Sequence, residues 1–411
     1  MAEPIRFVHF SDLHIGMENY GRLDPETGLN RRVMDFLDRL DDVIAYAIDH
    51  DADLVLFAGD AFRTRSPSPT HQREFAQRIR ALSEAGIPVV LLVGNHDVPV
   101  MSQRASSIEI FSTLGVPGVI VADRPAVHRV VTRRGPVQIV TIPYPVRQRL
   151  LSREQFRRMS QEELDAAVSE VVIGILRALK GQLSGGEPAV LMGHFSVAGA
   201  HWGSERSIMV GRDVTLPISA LVDARWAYVA LGHVHRHQNL NANDLPPVVY
   251  AGSLSRVDFG EERQPKGFCW VELMDGRASW RYVELPARRF VTLRIDVRAE
   301  SAPLSAIQAL ADAHDLTGVV VRLIVEMSPE QEPLLRDADL VPLLADAFHA
   351  QINREVDRAI RDRLDGMEPA TMTPMHLLER YLGSVGKDES EFGPYLEAAQ
   401  SVFAPDVGEG G

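Results

Sequence analysis

The chain has 411 residues, 45% hydrophobic and 24% charged, with a formal net charge of -13. That length and balance exclude a disordered or low-complexity protein and predict two or three domains, with enough chain to bury a core unaided. The single cysteine, Cys269, excludes an internal disulfide and suits a reducing compartment. No apolar run approaches a membrane span, and MAEPIRFVHF lacks a basic region followed by a long apolar stretch, so a cytoplasmic location without a signal peptide is expected.

In chain order, IRFVHF (5–10) reads as a buried strand. Val33, Phe36, Leu37, Leu40, Ile44, Ala47 and Ile48 have the spacing of an amphipathic helix. LVLFA (54–58) is a second buried strand; Phe75, Ile79 and Leu82 mark another helix, ended by Gly86; PVVLLV (88–93) is a third strand. This alternation predicts parallel pairing in a covered sheet. Strands are also expected at AVHRVV (126–131), VQIVTI (137–142), AVLMGH (189–194), AYVALG (227–232), VVYAG (248–252) and GFCWVEL (267–273). The predicted fold class is α/β, a two-layer β core flanked by helices.

After Leu285 the character changes. VTLRIDV (291–297), a helix near 303–314 and VVVRLIVEM (319–327) form a compact β-α-β unit. A long helix is expected over roughly 341–365, from Leu344, Phe348, Ile352, Val356, Ile360 and Leu364 spaced four apart, with Gly366 and Pro369 breaking it. Thr373-Pro374 opens a further helix, HLLERYL, and the segment ending in GEGG reads as a disordered acidic tail. The expected domains are 1–285, a smaller α+β cap over 286–370, and a C-terminal helix with its tail over 371–411. No Walker-type phosphate loop is present.

A negative total counts mildly against nucleic acid, but the charge is uneven. Residues 124–158 hold nine arginines and one acid, Glu154. They form either a solvated face or a phosphate-tracking surface, with Arg147, Arg149 and Arg153 the residues to test.

Five polar clusters stand just beyond predicted strands: SDLH (Asp12, His14), AGD (Asp60), GNHD (Asn95, His96, Asp97), GH (His194) and GHVH (His233, His235). Ligands of open α/β sheets bind outside the carboxyl ends of the strands, so these clusters are expected to converge. Asp, Asn and His without cysteine suit divalent ions such as Mn²⁺, Fe²⁺, Zn²⁺ or Mg²⁺ and disfavour structural zinc. In D-x-H and H-x-H, residues two apart on extended chain face the same way, so each pair can reach one site. Taken singly, each cluster has an ordinary reading: Asp12 a turn cap, GNHD a β-turn, His194 a satisfied core histidine. The remaining histidines, from His9 to His376, fit no such pattern and are read as structural.

D-x-H, GD, GNHD, GH and GHxH in this order resemble the calcineurin-like metallophosphoesterases. Within that family, VHFSDLHIG, FAGDAFRTRSPSP, GHVHRHQ and YAGSLSRVDFGEERQPKGF resemble the SbcD-like DNA-repair nucleases, over about residues 5–285. The resemblance implies two divalent ions, Mn²⁺ first among them. One would be held by Asp12, His14, Asp60 and His235, the other by Asp60, Asn95, His194 and His233, with Asp60 shared. It implies His96 as a catalytic side chain, oriented by Asp97, that contacts the phosphate or protonates the leaving oxygen. Many relatives have a second histidine where this chain has Arg63, which is either a phosphate contact or solvent-facing. The implied substrates are DNA duplex ends and hairpins. The implied partners are an SbcC-type coiled-coil ATPase, docked on the face of Leu377, Leu378, Tyr381 and Leu382, and a second nuclease chain. The rival readings are a small-molecule or cyclic-nucleotide phosphodiesterase and a catalytically silent DNA-binding scaffold.

Overall fold

The computed structural model describes residues 3–99, 104–146, 159–203, 213–242, 244–357, 373–384, 388 and 392–403. The chain divides into two compact units, the first of 1–293, 314–323 and 344–351 and the second of 294–313, 324–343 and 352–411.

The first unit holds two six-stranded sheets. One has the order β14-β13-β1-β2-β3-β4, built from β1 (Ile5–Phe10), β2 (Leu54–Phe57), β3 (Val89–Leu92), β4 (Val119–Ala122), β13 (Gly267–Met274) and β14 (Arg277–Glu284). Strands β1 to β4 are parallel. The β13–β14 hairpin lies antiparallel against β1. The other sheet has the order β11-β12-β10-β7-β6-β5. Its strands are β5 (Ala126–Thr132), β6 (Gly135–Ile142), β7 (Ala189–His194), β10 (Tyr228–Gly232), β11 (Gln238–Asn239) and β12 (Val248–Tyr250). Strands β6, β7, β10 and β12 are parallel. A two-stranded ribbon, β8 (Ser196–Val197) with β9 (Thr215–Leu216), stands beyond β7.

Period-two alternation decides the layers. Val8, Phe10, Val55, Phe57, Val89 and Leu91 face helices α1 (Arg31–Asp49) and α2 (Pro69–Glu84). Their alternates Phe7, Leu54, Leu56, Val90 and Leu92 meet Ile139, Val190, Met192, Tyr228 and Ala230 between the sheets. On the far face, Val140, Leu191, Val229 and Leu231 pack with Leu164, Val168, Val172 and Leu176 of a later helix, Gln161–Lys180. With the short α3 (Ile110–Thr113) preceding it, that helix is α4. Each major helix starts on a side-chain cap: Asn30 accepts from Arg32 N, Ser68 from His71 N, and Ser160 with Glu163 forms a reciprocal capping box.

A three-stranded sheet has the order β15-β16-β17, with β15 (Phe290–Asp296), β16 (Val320–Met327) and β17 (His349–Val356). Helices α5 (Pro303–Asp312), α6 (Asp337–Leu340), α7 (Pro374–Ser384) and α8 (Gly393–Phe403) belong to the second unit. Within that unit Arg294 pairs with Glu326 and Glu355, and α7 packs with α8.

Two expectations are corrected here. The helix expected over 341–365 is strand from His349 to Val356. Apolar residues four apart also lie on one face of a strand, because four is a multiple of two, so that spacing does not separate the two structures. Residues 358–365 lie outside the described residues. The expected disordered tail contains helix α8, and 404–411 lie outside the described residues. Among the described helices none is long and apolar enough to cross a membrane.

Candidate metal centre

Every clustered residue follows or ends a parallel strand. Asp12 and His14 follow β1, Asp60 follows β2, Asn95 to Asp97 follow β3, His194 ends β7, and His233 and His235 follow β10. Because β1, β2 and β3 are parallel to one another, as are β7 and β10, the carboxyl ends in each set share one edge, and there the two sheets contribute to one site. The chain turns sharply to enter it. Asp12, His14, Asp60 and His233 have φ of 54, 48, 62 and 98°. Left-handed backbone costs about 1–3 kcal/mol at a non-glycine residue and persists where the surroundings over-determine it. Two neighbours have to be glycine. A Cβ on Gly94 would lie 2.2 Å from Asp60 Oδ1, and one on Gly232 would lie 2.2 Å from the Ala58 carbonyl.

Two donor groups emerge, each with its atoms within 4.8 Å: Asp12, His14 and His235, and Asp60, His194 and His233. The groups meet at Asp60, whose Oδ2 is 3.8 Å from His14 Nε2 and 3.4 Å from His194 Nε2. Asn95 Oδ1 sits 3.0 Å from His194 Nε2 and 2.9 Å from His233 Nδ1. His14 Nε2 and His235 Nε2 are 2.9 Å apart. All seven side chains are buried except that of His235, which is partly so. His96 is partly exposed, its ring edge-on to His14 with centroids 4.9 Å apart, and it makes a third donor group with His14 and Asp60.

The electrostatics follow from packing acids and imidazoles out of water. Burial alone would lower His194, but the Asp60 carboxylate outweighs it and pushes the imidazole up to about 9. Burial would raise Asp60, yet His194 and His96 hold it well below the usual carboxylate range. Burial and the facing His235 hold His14 well below its ordinary value. A buried set of carboxylate, carboxamide and imidazole donors without thiolate, convergent on two points, fits two hard or borderline divalent cations.

The second ring nitrogens of His194, His233 and His235 are tied down, whereas His14 Nδ1 is buried with no hydrogen-bond partner among the described residues. His194 Nδ1 donates to the Ala58 carbonyl at 2.6 Å. His233 Nε2 meets Asp213 Oδ2 at 2.8 Å. His235 Nδ1 meets Glu261 Oε1 at 2.7 Å, and Glu261 is itself fully buried against Lys266 Nζ at 2.9 Å. Burial opposes the Glu261 charge, but Lys266 and His235 keep the carboxyl far below its ordinary range. Such carboxylate partners fix the tautomer and orientation of a metal-binding histidine. Asp213, Glu261 and Lys266 were not singled out from sequence. Glu261 and Lys266 lie inside GSLSRVDFGEERQPKGF, where the signal was a whole stretch; Asp213 carries no motif.

The expected contact between Asp97 and His96 is absent. Asp97 is fully buried and accepts from the backbone N–H of Gly94, Asp60 and Ala61 and from Ser107 Oγ. It therefore staples the β2 and β3 turns together. His96 Nδ1 donates instead to the Arg63 carbonyl at 2.5 Å. The Arg63 side chain is exposed. Arg147, Arg149 and Arg153 lie outside the described residues. The described arginines of that run are engaged: Arg124 with Asp123, Arg129 with Glu187, Arg133 and Arg134 with Asp53. The Arg133–Arg134 turn precedes β6 and so sits at the end of the sheet opposite the site.

A fold of two sheets between helices, with Asp, Asn and His donors on their shared edge, defines a metal-dependent phosphoesterase. The chain belongs to the calcineurin-like phosphoesterases, whose family model matches residues 5–237. More particularly, it is similar to the SbcD subunit of nuclease SbcCD from Bacillus subtilis (strain 168), 27% identical over 98% of this chain and 100% of that one. It is 28% identical to the SbcD subunit from Rhodobacter capsulatus, over 75% of each chain. It is also similar to the DNA double-strand break repair protein Mre11 of Haloferax volcanii, 26% identical over 80% of this chain and 62% of that one.

Proposed function

We propose that this chain is the nuclease subunit of an SbcCD-type double-strand-break repair complex, hydrolysing DNA phosphodiesters as an exonuclease and at hairpins as an endonuclease. The observation that carries the reading is the pair of donor groups meeting at Asp60. Relatives named as a nuclease subunit over 98% and 75% of the chain, and one named as a double-strand break repair protein over 80% of it, support it.

Asp12, His14, Asp60 and His235 would hold one ion, and Asp60, Asn95, His194 and His233 the other. Mn²⁺ is the first choice, with Mg²⁺, Fe²⁺ and Zn²⁺ as alternatives. When bound, the ions supply Lewis-acid stabilisation of charge on the phosphoryl group and on its attacking and leaving oxygens. The chain's own part is positional and protic. Asp97 holds the β2 and β3 turns in register, so that Asp60 and Asn95 face each other. His96, held by the Arg63 carbonyl, contacts the phosphate or delivers a proton to the leaving oxygen.

Residues 1–285 would form the nuclease domain and 286–370 a cap, with 371–411 reaching the partner. We assign α7 as the docking element for an SbcC-type coiled-coil ATPase in an assembly with two nuclease chains. In α7, Leu377, Leu378, Tyr381 and Leu382 gather on one face, as an amphipathic docking helix requires. The chain would work in the cytoplasm.

The test offers purified protein with Mn²⁺ three substrates side by side: linear duplex DNA, hairpin DNA and a chromogenic phosphodiester. Cleavage of both DNAs is expected. Hydrolysis of the small diester with both DNAs intact would replace the nuclease by a small-molecule phosphodiesterase. Truncation after Gly366 should abolish pull-down of the cognate ATPase, and undiminished binding overturns the docking assignment.

A further inference from the structure

Beside the donor groups, a cleft of about 510 Å³ opens between the GHVH turn and the turn that carries Glu261. Trp202, Arg236 and Arg263 line it, and among the described residues no carboxylate does. The Trp202 ring stands edge-on to His233, centroids 5.6 Å apart at 87°, so the indole reaches the metal centre itself. Arg236 directly follows His235 in the chain. Both arginines are exposed, and neither guanidinium has a hydrogen bond or ion pair among the described residues. Two acids flanking it are committed elsewhere: Glu261 to Lys266 and His235, Glu262 to Thr292.

In a chain of net charge -13, two guanidinium groups beside an indole, with no acid paired to them among the described residues, are a local inversion of sign. Guanidinium forks match phosphate oxygens, and an indole face stacks on any base. We propose that this cleft takes one strand of the nucleic acid next to the scissile bond, with Arg236 and Arg263 on its backbone phosphates and Trp202 stacked on a base. A base stacked in this way is unpaired, so the strand is single at that point and the duplex is parted beside the metals. This inference rests on the nuclease reading above and names the substrate contacts that reading lacks.

The experiment uses the full chain without divalent metal, so that nothing is cut, and a fluorescent single-stranded deoxyoligonucleotide titrated at several salt concentrations. Each phosphate contact on a single strand contributes about 0.7 to the slope of log affinity against log salt. The double variant Arg236→Ala/Arg263→Ala should bind at least about ten-fold more weakly at low salt, with a slope shallower by about 1.4. Arg236→Lys/Arg263→Lys should keep the slope. Trp202→Ala should weaken binding while leaving the slope in place, and should remove part of the tryptophan quenching that the oligonucleotide causes. If the unsubstituted protein binds with a salt-dependent affinity that the alanine pair leaves intact, the cleft assignment fails and the nuclease reading stands. If the unsubstituted protein neither binds the strand nor cleaves DNA with Mn²⁺, both fail.

Discussion

At the scale of single residues, function is concentrated in side chains whose neighbours leave them one arrangement. Asp60 lies between both donor groups, so Asp60→Ala should release both ions and abolish hydrolysis while the fold persists; metal content and rate measured together check this. His96 belongs to a donor group but is not assigned as a ligand, and its ring is held by a backbone carbonyl. His96→Ala should retain the metals and lose about 10²–10⁴-fold in rate. Glu261→Gln should weaken metal affinity by about 10–100-fold, since the carboxylate behind His235 sets its tautomer. That change also strands the buried Lys266, so Glu261→Gln/Lys266→Met should recover stability without recovering affinity, read by calorimetry and metal titration. His9 shows the opposite use of a buried imidazole. Its Nε2 donates to the Leu231 carbonyl, its Nδ1 accepts from Tyr228 Oη, and burial pushes it down to about 3. Below about pH 6.5 the unfolded chain takes up a proton that the folded chain refuses. The His9 contribution is therefore complete above that pH and is lost as pH falls towards 3, at about 1.4 kcal/mol per unit. His9→Gln should flatten the acid limb of stability by that slope, measured as urea midpoints across the range.

At the scale of elements, the sequence was legible where one period dominates. IRFVHF and AVLMGH coincide with β1 and β7 residue for residue, because fully buried strands are short, apolar and bounded by polar turns. The donor clusters were legible for the same reason: each stands where such a run stops. What was hidden depended on partners far away in sequence. β14 is an edge strand of alternating exposure, and its best clue was the Asp275-Gly276 turn. α4 carries both a capping box and apolar residues at 164, 168, 172 and 176, and Ser160→Ala should cost about 0.5–2 kcal/mol in denaturant unfolding. β17 was misread because a spacing of four serves helix and strand alike. The role given to Asp97 failed for a different reason. Adjacency in GNHD suggested a side-chain pair, whereas three backbone N–H groups from the β2 and β3 turns claim the carboxylate.

At the scale of the whole molecule, the metal centre is an addition to a core that does not need it. The layers are filled by apolar residues of both sheets and their helices. Removing metal with a chelator should therefore leave the far-ultraviolet circular dichroism unchanged. Restoring Mn²⁺ should raise stability by about 2.7 kcal/mol per site at a hundred times the dissociation constant, visible as a rise in Tm. The order in which the sheets draw on the chain has a further consequence. β1, which delivers Asp12 and His14, lies between β2 and β13, and β13 begins only at Gly267. A chain leaving the ribosome presents Asp12, His14, Asp60 and Asn95 early, but it lacks three imidazoles, the Glu261 support and the strand that closes the sheet beside β1. Synthesis from the N-terminus thus withholds the active site until about two-thirds of the protein exists. A truncated product of interrupted translation is left with half a donor set and no closed metal centre.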